Sequence, residues 1–381
     1  MALNSKNILI AFVSLLTLII FGLKFLDSVP QSLDQIYKTD YPNYYFAGKR
    51  LLSGERIYSP INQEVEREFG WKEYIAYTAD TPLTVIIMSP LSLLQAKQGA
   101  GLLNITSILV LCLSIYLVSR TSGYSLLVSI LFISLSLSSI PFLFLLYKCH
   151  MESLILLLGV AGFLSLKKSS PKLAGFFWGF AAAIKVFPML WLLPYLFDKN
   201  RKSVFYTGVG SAVVLTGISF LVVGYENFHD FIFLVLPMSE RWLGSVGNYS
   251  IISFLTALGA KVPLIIAGPI FGMILTLLLV EARKNTLNDE KNFTLTTASA
   301  LLISPLSWLN YFILIFPSLI FLSRRYSYFR VTYYLPLLVL FSIFWGWPDF
   351  ISTPWLWLTI VLSFMPMFAL VSILFHFQKK L

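Results

Sequence analysis

The sequence predicts an all-α polytopic membrane protein, a bundle of about twelve membrane-crossing helices. Three observations carry this. Of 381 residues, 57% are hydrophobic and only 12% are charged, about half the charge of an ordinary soluble domain. Mean hydropathy is +0.79. The apolar residues fall in runs near twenty long, the length a helix needs to cross the hydrocarbon core, and not in the alternating ten-residue segments of a membrane barrel.

The predicted spans are 7–26, 99–118, 124–146, 150–166, 173–184, 187–198, 204–223, 262–282, 293–308, 311–323, 331–347 and 353–376. The first follows Lys6 and lacks a small-residue cleavage site, so it reads as an uncleaved span. Short basic clusters set orientation. Arg120, Lys167-Lys168, Lys172, Lys199, Arg201-Lys202, Arg283-Lys284, Arg324-Arg325, Arg330 and Lys379-Lys380 fall on one side, together with both termini. That side is the expected cytoplasm. The net charge of +10 is therefore a feature of membrane loops, and its scatter argues against a nucleic-acid stripe. Cys112 and Cys149 lie in or beside apolar runs and imply neither a disulfide framework nor a metal site.

Residues 80–95 are apolar but short and carry Ser89-Pro90. Crossing there would put Arg120 and Lys167-Lys168 outside, so the segment is expected to lie on, or dip into, the outer face. Residues 173–198 have basic clusters on both flanks and Lys185 and Pro188 in the middle. They read as a hairpin of two half-length helices with Lys185 at its outer tip. Residues 293–323 read as a similar pair joined near Trp308-Leu309-Asn310. The chain is one integral membrane domain, 1–381, with two long outer loops, 27–98 and 224–261. Loops of that length in compact proteins usually carry function.

Within the first loop, Asp40 precedes Tyr41-Pro42-Asn43-Tyr44-Tyr45-Phe46-Ala47-Gly48 and a turn at Gly54. Pro42 suits the start of a helix and Gly54 its exit. Tyr41, Tyr44, Tyr45, Gly48, Leu51 and Leu52 share one face. Asn43, Lys49, Arg50 and Ser53 share another, so the helix is expected to be interfacial, aromatic inside and basic on the wet side. Asp40 at its N-terminus is favoured in the ionised form and can take a proton from a hydroxyl. The plainer reading is an ordinary helix-start aspartate.

Lys185, a lone cation among apolar residues, is a functional candidate by position and can hold a phosphate. Its alternative is snorkelling to headgroups. His150 and Glu152, in Lys148-Cys149-His150-Met151-Glu152-Ser153, can bind substrate hydroxyls or be solvated flank residues. One His and one Glu do not make a metal site. Asn248, Trp308, Asn310, Tyr44 and Arg241 are further contacts suited to a sugar or phosphate, and equally common as interfacial anchors. No Walker loop or Gly-rich nucleotide fingerprint is present, and no soluble region is large enough for a nucleotide sugar. An outward-facing transferase would then take its donor from a lipid carrier.

Asp40 to Tyr58, Tyr77 to Leu94, Ala174 to Pro188, Asn248-Tyr249-Ser250 and Ser304 to Trp308, in this order, resemble the C-type glycosyltransferase superfamily. Within it the closest likeness is to glycosyltransferase family 87, the polyprenyl-phosphate-mannose-dependent alpha-mannosyltransferases. The resemblance implies inverting transfer of mannose from a polyprenyl-phosphate donor to a glycolipid or glycan acceptor. It also implies Asp40 as general base, Lys185 on the carrier phosphate, no cofactor, and a site on the outer face of the bacterial cytoplasmic membrane. No metal is required, though Asp40 with Glu152 leaves its use open. Two positions depart from the family. Cys149-His150-Met151-Glu152 stands where Gly-Gln-x-Asn is common, and Asn310 stands where a histidine is common. These departures keep an inactive scaffold of the same architecture in view. Polar residues within spans, such as Thr106, Ser134, Ser136 and Ser138, would suit a transporter or lipid flippase.

Overall fold

The computed structural model describes residues 5–70, 78, 80–243, 248–257, 272, 288–325 and 371. These fold almost wholly into helices, with one isolated bridge between Asn248 and Trp308. Helix α1 spans Ser5–Asp34, α2 Tyr41–Ser53, α3 Asn62–Phe69, α4 Pro82–Met88 and α5 Ala96–Thr121. They are followed by α6 Leu126–Ser138, α7 Ile140–Lys148, α8 Glu152–Lys167, α9 Pro171–Ile184, α10 Lys202–Val223 and α11 Tyr225–Asp230. The last are α12 Leu236–Met238, α13 Ile251–Ala257, α14 Asp289–Ile303 and α15 Phe316–Arg325.

Among the described residues three helical stretches are long and apolar enough to cross a membrane: Asn7–Asp34, Ala96–Thr121 and Lys202–Val223. The pair α6 and α7 makes a fourth if counted together, bent by 54°. The sequence reads 124–146 as one straight span. The bend comes where Ser139 goes extended and Pro141 opens a new helix. The first helix also runs on to Asp34, well past Leu26. The expected spans 262–282, 331–347 and 353–376 lie outside the described residues, apart from Gly272 and Val371.

The expected half-length pieces take specific forms. Residues 80–95 become α4 and a 3-10 turn, Ser89–Leu93. Thr81 starts α4 by accepting from the Thr84 amide at 3.3 Å, with Pro82 in the first turn. Residues 173–198 become α9 and a 3-10 stretch, Phe187–Leu196, in which Pro188 and Pro194 preclude a regular α-helix. Residues 293–323 become α14, the 3-10 turn Leu309–Ile315, and α15.

Packing explains the bundle's centre. Gly175 and Gly179 lie one turn apart on α9, facing α10. A Cβ at Gly179 would collide with the Gly208 carbonyl, and one at Gly175 with the Val204 carbonyl. Small residues four apart let helix backbones approach this closely. On the other side of α9, Trp178 fills the space left by Gly162 and donates its ring N–H to the Gly159 carbonyl at 3.0 Å. Helix α14 is buried from Lys291 through Ile303 although it carries Asn292 and several Thr and Ser residues. Thr297 receives the Trp191 ring N–H at 2.9 Å. A helix buried on every face belongs to the core of the bundle.

Helix α2 corrects one detail of the amphipathic reading. Arg50 is buried, not on the wet face. Its guanidinium pairs with Glu64 and donates to the carbonyls of Ser59 at 2.6 Å and Pro60 at 2.8 Å. It thereby pins loop 55–64 against the helix. Leu52, placed on the buried face by spacing, is exposed. Gly54 takes the left-handed conformation, φ 72°, that ends the helix.

Candidate active site

Five chain segments meet at one end of the bundle: the start of α2, the link 149–151 between α7 and α8, the start of α8, the end of α9, and the turn Leu309–Ile315. Asp40 occupies the N-cap position of α2, yet its side chain makes no capping bond. Its carboxylate turns instead to His150, with Oδ2 2.7 Å from Nε2. The Asp40 amide donates to the Lys148 carbonyl at 3.2 Å, tying the two segments together.

The link is tight. Cys149 ends α7 at φ 56°, a left-handed conformation unusual for a residue with a side chain. Its thiol is buried, donating to the Leu146 carbonyl at 3.5 Å and receiving the Asn104 amide at 3.7 Å. This turn aims His150 at α2. There the second ring nitrogen, Nδ1, meets the Tyr44 hydroxyl at 3.1 Å and lies 3.5 Å from Glu152 Oε2.

Glu152 opens α8 fully buried. Its Oε1 receives the Lys185 ammonium at 2.5 Å. Lys185 also donates to the Tyr311 hydroxyl at 2.7 Å and sits over that ring, which stacks on Phe187. Two of the three ammonium protons are thus placed. Lys185 is held because α9 stops at Ile184, and Lys185 itself goes extended. Thr81 and Thr84 donate to the Ile184 carbonyl at 2.8 and 3.1 Å, fastening α4 to this corner.

The electrostatics follow. Desolvation pushes the Asp40 carboxyl up. The hydrogen bond and charge of His150, then the charges of Lys148 and Lys185, outweigh it and hold Asp40 below the usual carboxylate value. The side chain is nonetheless 40% exposed, so the cleft above it is open. Burial first, then the charges of Asp80, Glu152 and Asp40, push the Tyr44 phenol well above its ordinary value, so it stays a proton donor.

Of the residues singled out by sequence, Asp40, Tyr44, His150, Glu152 and Lys185 come together. Asn310 lies against Glu152. It is fully buried, and neither amide atom has a partner of good hydrogen-bond geometry. Glu152 Oε2 and the buried Ser307 hydroxyl are in the same condition. Asn248 is different. It is fully buried, and its amide is spent on the Pro305 carbonyl at 2.8 Å, the Trp242 carbonyl, and the Ser307 and Ser250 amides. It clasps two segments of backbone and has no atom left for a sugar. Trp308 is half-buried, edge-on to the exposed Trp242 at 6.1 Å. Arg241 is exposed on a short 3-10 turn, and among the described residues no contact joins it to the Asp40 group.

Two members escaped the sequence reading. Tyr311 is one; only its place next to Asn310 hints at it. Asp80 is the other. Thr78 donates to the Asn43 carbonyl at 3.0 Å, and Thr81 binds Ile184. The short segment between them therefore holds Asp80 in the space between α2 and Lys185. Burial raises its carboxyl above the usual value. Lys185 and His150 oppose this, while Glu152 and Asp40 add to it. Its signal was an acid directly before a Thr-Pro helix start.

Among the described residues no group of three His, Cys, Asp or Glu side chains is placed to hold a metal ion. The group is an ionised carboxylate on an open face, backed by a histidine and a buried Glu–Lys pair. No curated protein matches this sequence. The model of glycosyltransferase family 87 matches residues 77–306, well over half the chain, a stretch that includes Asp80, His150, Glu152 and Lys185 but not Asp40 or Tyr311. With its long apolar helices, the chain is a membrane protein and belongs to glycosyltransferase family 87.

Proposed function

We propose that the protein transfers a sugar, mannose by the family resemblance, from a polyprenyl-phosphate carrier to a hydroxyl of a glycolipid or glycan, with inversion at the anomeric carbon. The observation that carries this is the state of Asp40: partly exposed, held ionised, and, among the described residues, bonded to protein side chains through one oxygen. The other oxygen is directed to an acceptor. It takes the acceptor's hydroxyl proton as that oxygen forms its bond to the anomeric carbon. The bond from that carbon to the carrier phosphate breaks, and the phosphate leaves with the electron pair. The remaining ammonium proton of Lys185 supports a contact with the leaving phosphate. Asn310 and the Ser307 hydroxyl, buried and among the described residues without a partner of good hydrogen-bond geometry, suit the donor sugar's hydroxyls. The cleft opens on the outer side of the membrane in this reading.

The test is transfer by the purified protein in nanodiscs, supplied with radiolabelled polyprenyl-phosphate mannose and a membrane glycolipid extract. Labelled product and released polyprenyl phosphate are expected, and Asp40→Asn should lower the rate by about 10²-fold or more while leaving insertion and folding intact. Full activity in that variant would remove Asp40 from the mechanism.

A further inference from the structure

We propose that His150 is the positioning residue of this site: it draws Asp40 away from capping its own helix, fixes which carboxylate oxygen faces the acceptor, and keeps that carboxylate charged. This rests on the reading of Asp40 as the base and extends it to a second residue of the site.

An aspartate at a helix N-cap ordinarily turns inward and accepts from the amides of the first turn. Asp40 has the position without the bond. The start of α2 is instead built without it: the Asn43 amide donates to the Asp40 carbonyl at 3.1 Å, and the Thr39 hydroxyl accepts from the Tyr41 amide at 3.2 Å. What holds the carboxylate outward is the 2.7 Å bond to His150.

The imidazole is itself aimed. On the far side of the ring Nδ1 meets the Tyr44 hydroxyl at 3.1 Å and Glu152 Oε2 at 3.5 Å. An ionised carboxylate can only accept, so Nε2 is a nitrogen that carries hydrogen, and it donates to Asp40 Oδ2 at 2.7 Å. The left-handed Cys149 delivers the ring to this position. Such backbone strain is tolerated where the surrounding structure demands it, often at functional sites. The proton taken from the acceptor stays on Asp40. Nε2 already holds hydrogen, so the ring orients and charges the base without receiving that proton.

The groups facing Asp40 are His150 from the link, Lys148 from the end of α7, Lys185 from the end of α9, Glu152 from α8, Tyr44 from α2 and Asp80 from the segment before α4. Burial opposes the carboxylate, and His150, Lys148 and Lys185 favour it. Of these groups His150 is the one in direct contact, and its hydrogen bond and charge come ahead of the two lysines in holding Asp40 ionised.

The experiment compares wild type, His150→Ala, His150→Gln and Asp40→Asn. The first readout is the pH profile of kcat/KM for transfer from polyprenyl-phosphate mannose. The second needs no substrate: the protonation midpoint of Asp40, from infrared acid titrations differenced against Asp40→Asn. In His150→Ala the midpoint and the acid limb should move up by about one to two pH units, the size of a lost charge or hydrogen-bond partner. His150→Gln keeps an N–H donor and should recover part of that shift. An unmoved midpoint in His150→Ala would overturn the inference, whatever the effect on rate. If Asp40→Asn is then inactive, Asp40 remains the base. If Asp40→Asn is fully active, both the inference and the reading beneath it fall.

Discussion

Glu152 and Lys185 show how much one pair of residues constrains this site. Both are removed from solvent, at 0% and 12% side-chain exposure, and joined at 2.5 Å. Removing one member of such a pair strands the other as an uncompensated charge, at about 3–5 kcal/mol, whereas replacing both by uncharged residues of similar size is far less costly. Glu152→Gln and Lys185→Met should therefore each lower thermal stability sharply, and the double variant should recover much of the loss. A double variant as unstable as the two losses added together would show that the pair is not coupled. Transfer should be lost in all three, because the proposed mechanism needs Lys185 charged and held by Glu152. The sequence marks these residues by type and position, ionisable groups at the edges of apolar runs. It does not reveal that they bind each other, because Glu152 and Lys185 meet only when α8 and α9 run antiparallel. Asn248 shows the converse. An Asn in an outer loop reads as a sugar contact, and nothing local tells that the Pro305 carbonyl and the Ser307 amide will consume it.

At the scale of elements, the contact between α9 and α10 decides where Lys185 stands. The end of α9 carries Lys185, and its lateral position depends on the depth to which Gly175 and Gly179 seat against α10. A side chain at Gly179 meets backbone, which cannot move aside as a flexible side chain would. Gly179→Val should force the helices apart at a cost of about 1–3 kcal/mol. It should also displace Lys185 from Glu152, lowering transfer while leaving donor-independent properties such as insertion unchanged. Gly210→Ala on α10 is the control, since a Cβ there meets open space; equal losses in the two variants would rule out the packing argument. The break of 173–198 into two half-length pieces was read from the sequence, whereas the Gly175–Gly179 seam was missed although its spacing is plain there. The bend between α6 and α7 was missed, because the serines and Pro141 of 124–146 leave the run apolar enough on average to read as one span. Only the local geometry of Ser139 and Pro141 divides it.

At the scale of the whole molecule, the ion pairs among the described residues gather at two opposite ends. Helix α8 runs from Glu152 to Lys167, and α9 returns from Pro171 to Lys185, so the Asp40 site and the 167–172 turn lie at opposite ends of this hairpin. At the turn's end Lys167 pairs with Glu290 at 3.2 Å. Arg201 bridges Asp198 and Asp289 at 2.7 and 2.6 Å, and Tyr195 donates to Asp289 at 3.2 Å. Lys168, Lys172, Lys199 and Lys202 add net positive charge there. Basic loops remain on the cytoplasmic side, so this end should be cytoplasmic and the Asp40 end should face outward, where a carrier-linked donor is presented. The two native cysteines form a quiet background, one half-buried in α5 and one buried beside the site. In intact cells a membrane-impermeant maleimide should label Arg67→Cys, exposed on α3, and should fail to label Lys168→Cys until the membrane is opened. Labelling of Lys168→Cys from outside would invert the molecule. It would place the carboxylate on the side where nucleotide sugars are available, and the argument for a lipid-carried donor would lose its physical basis.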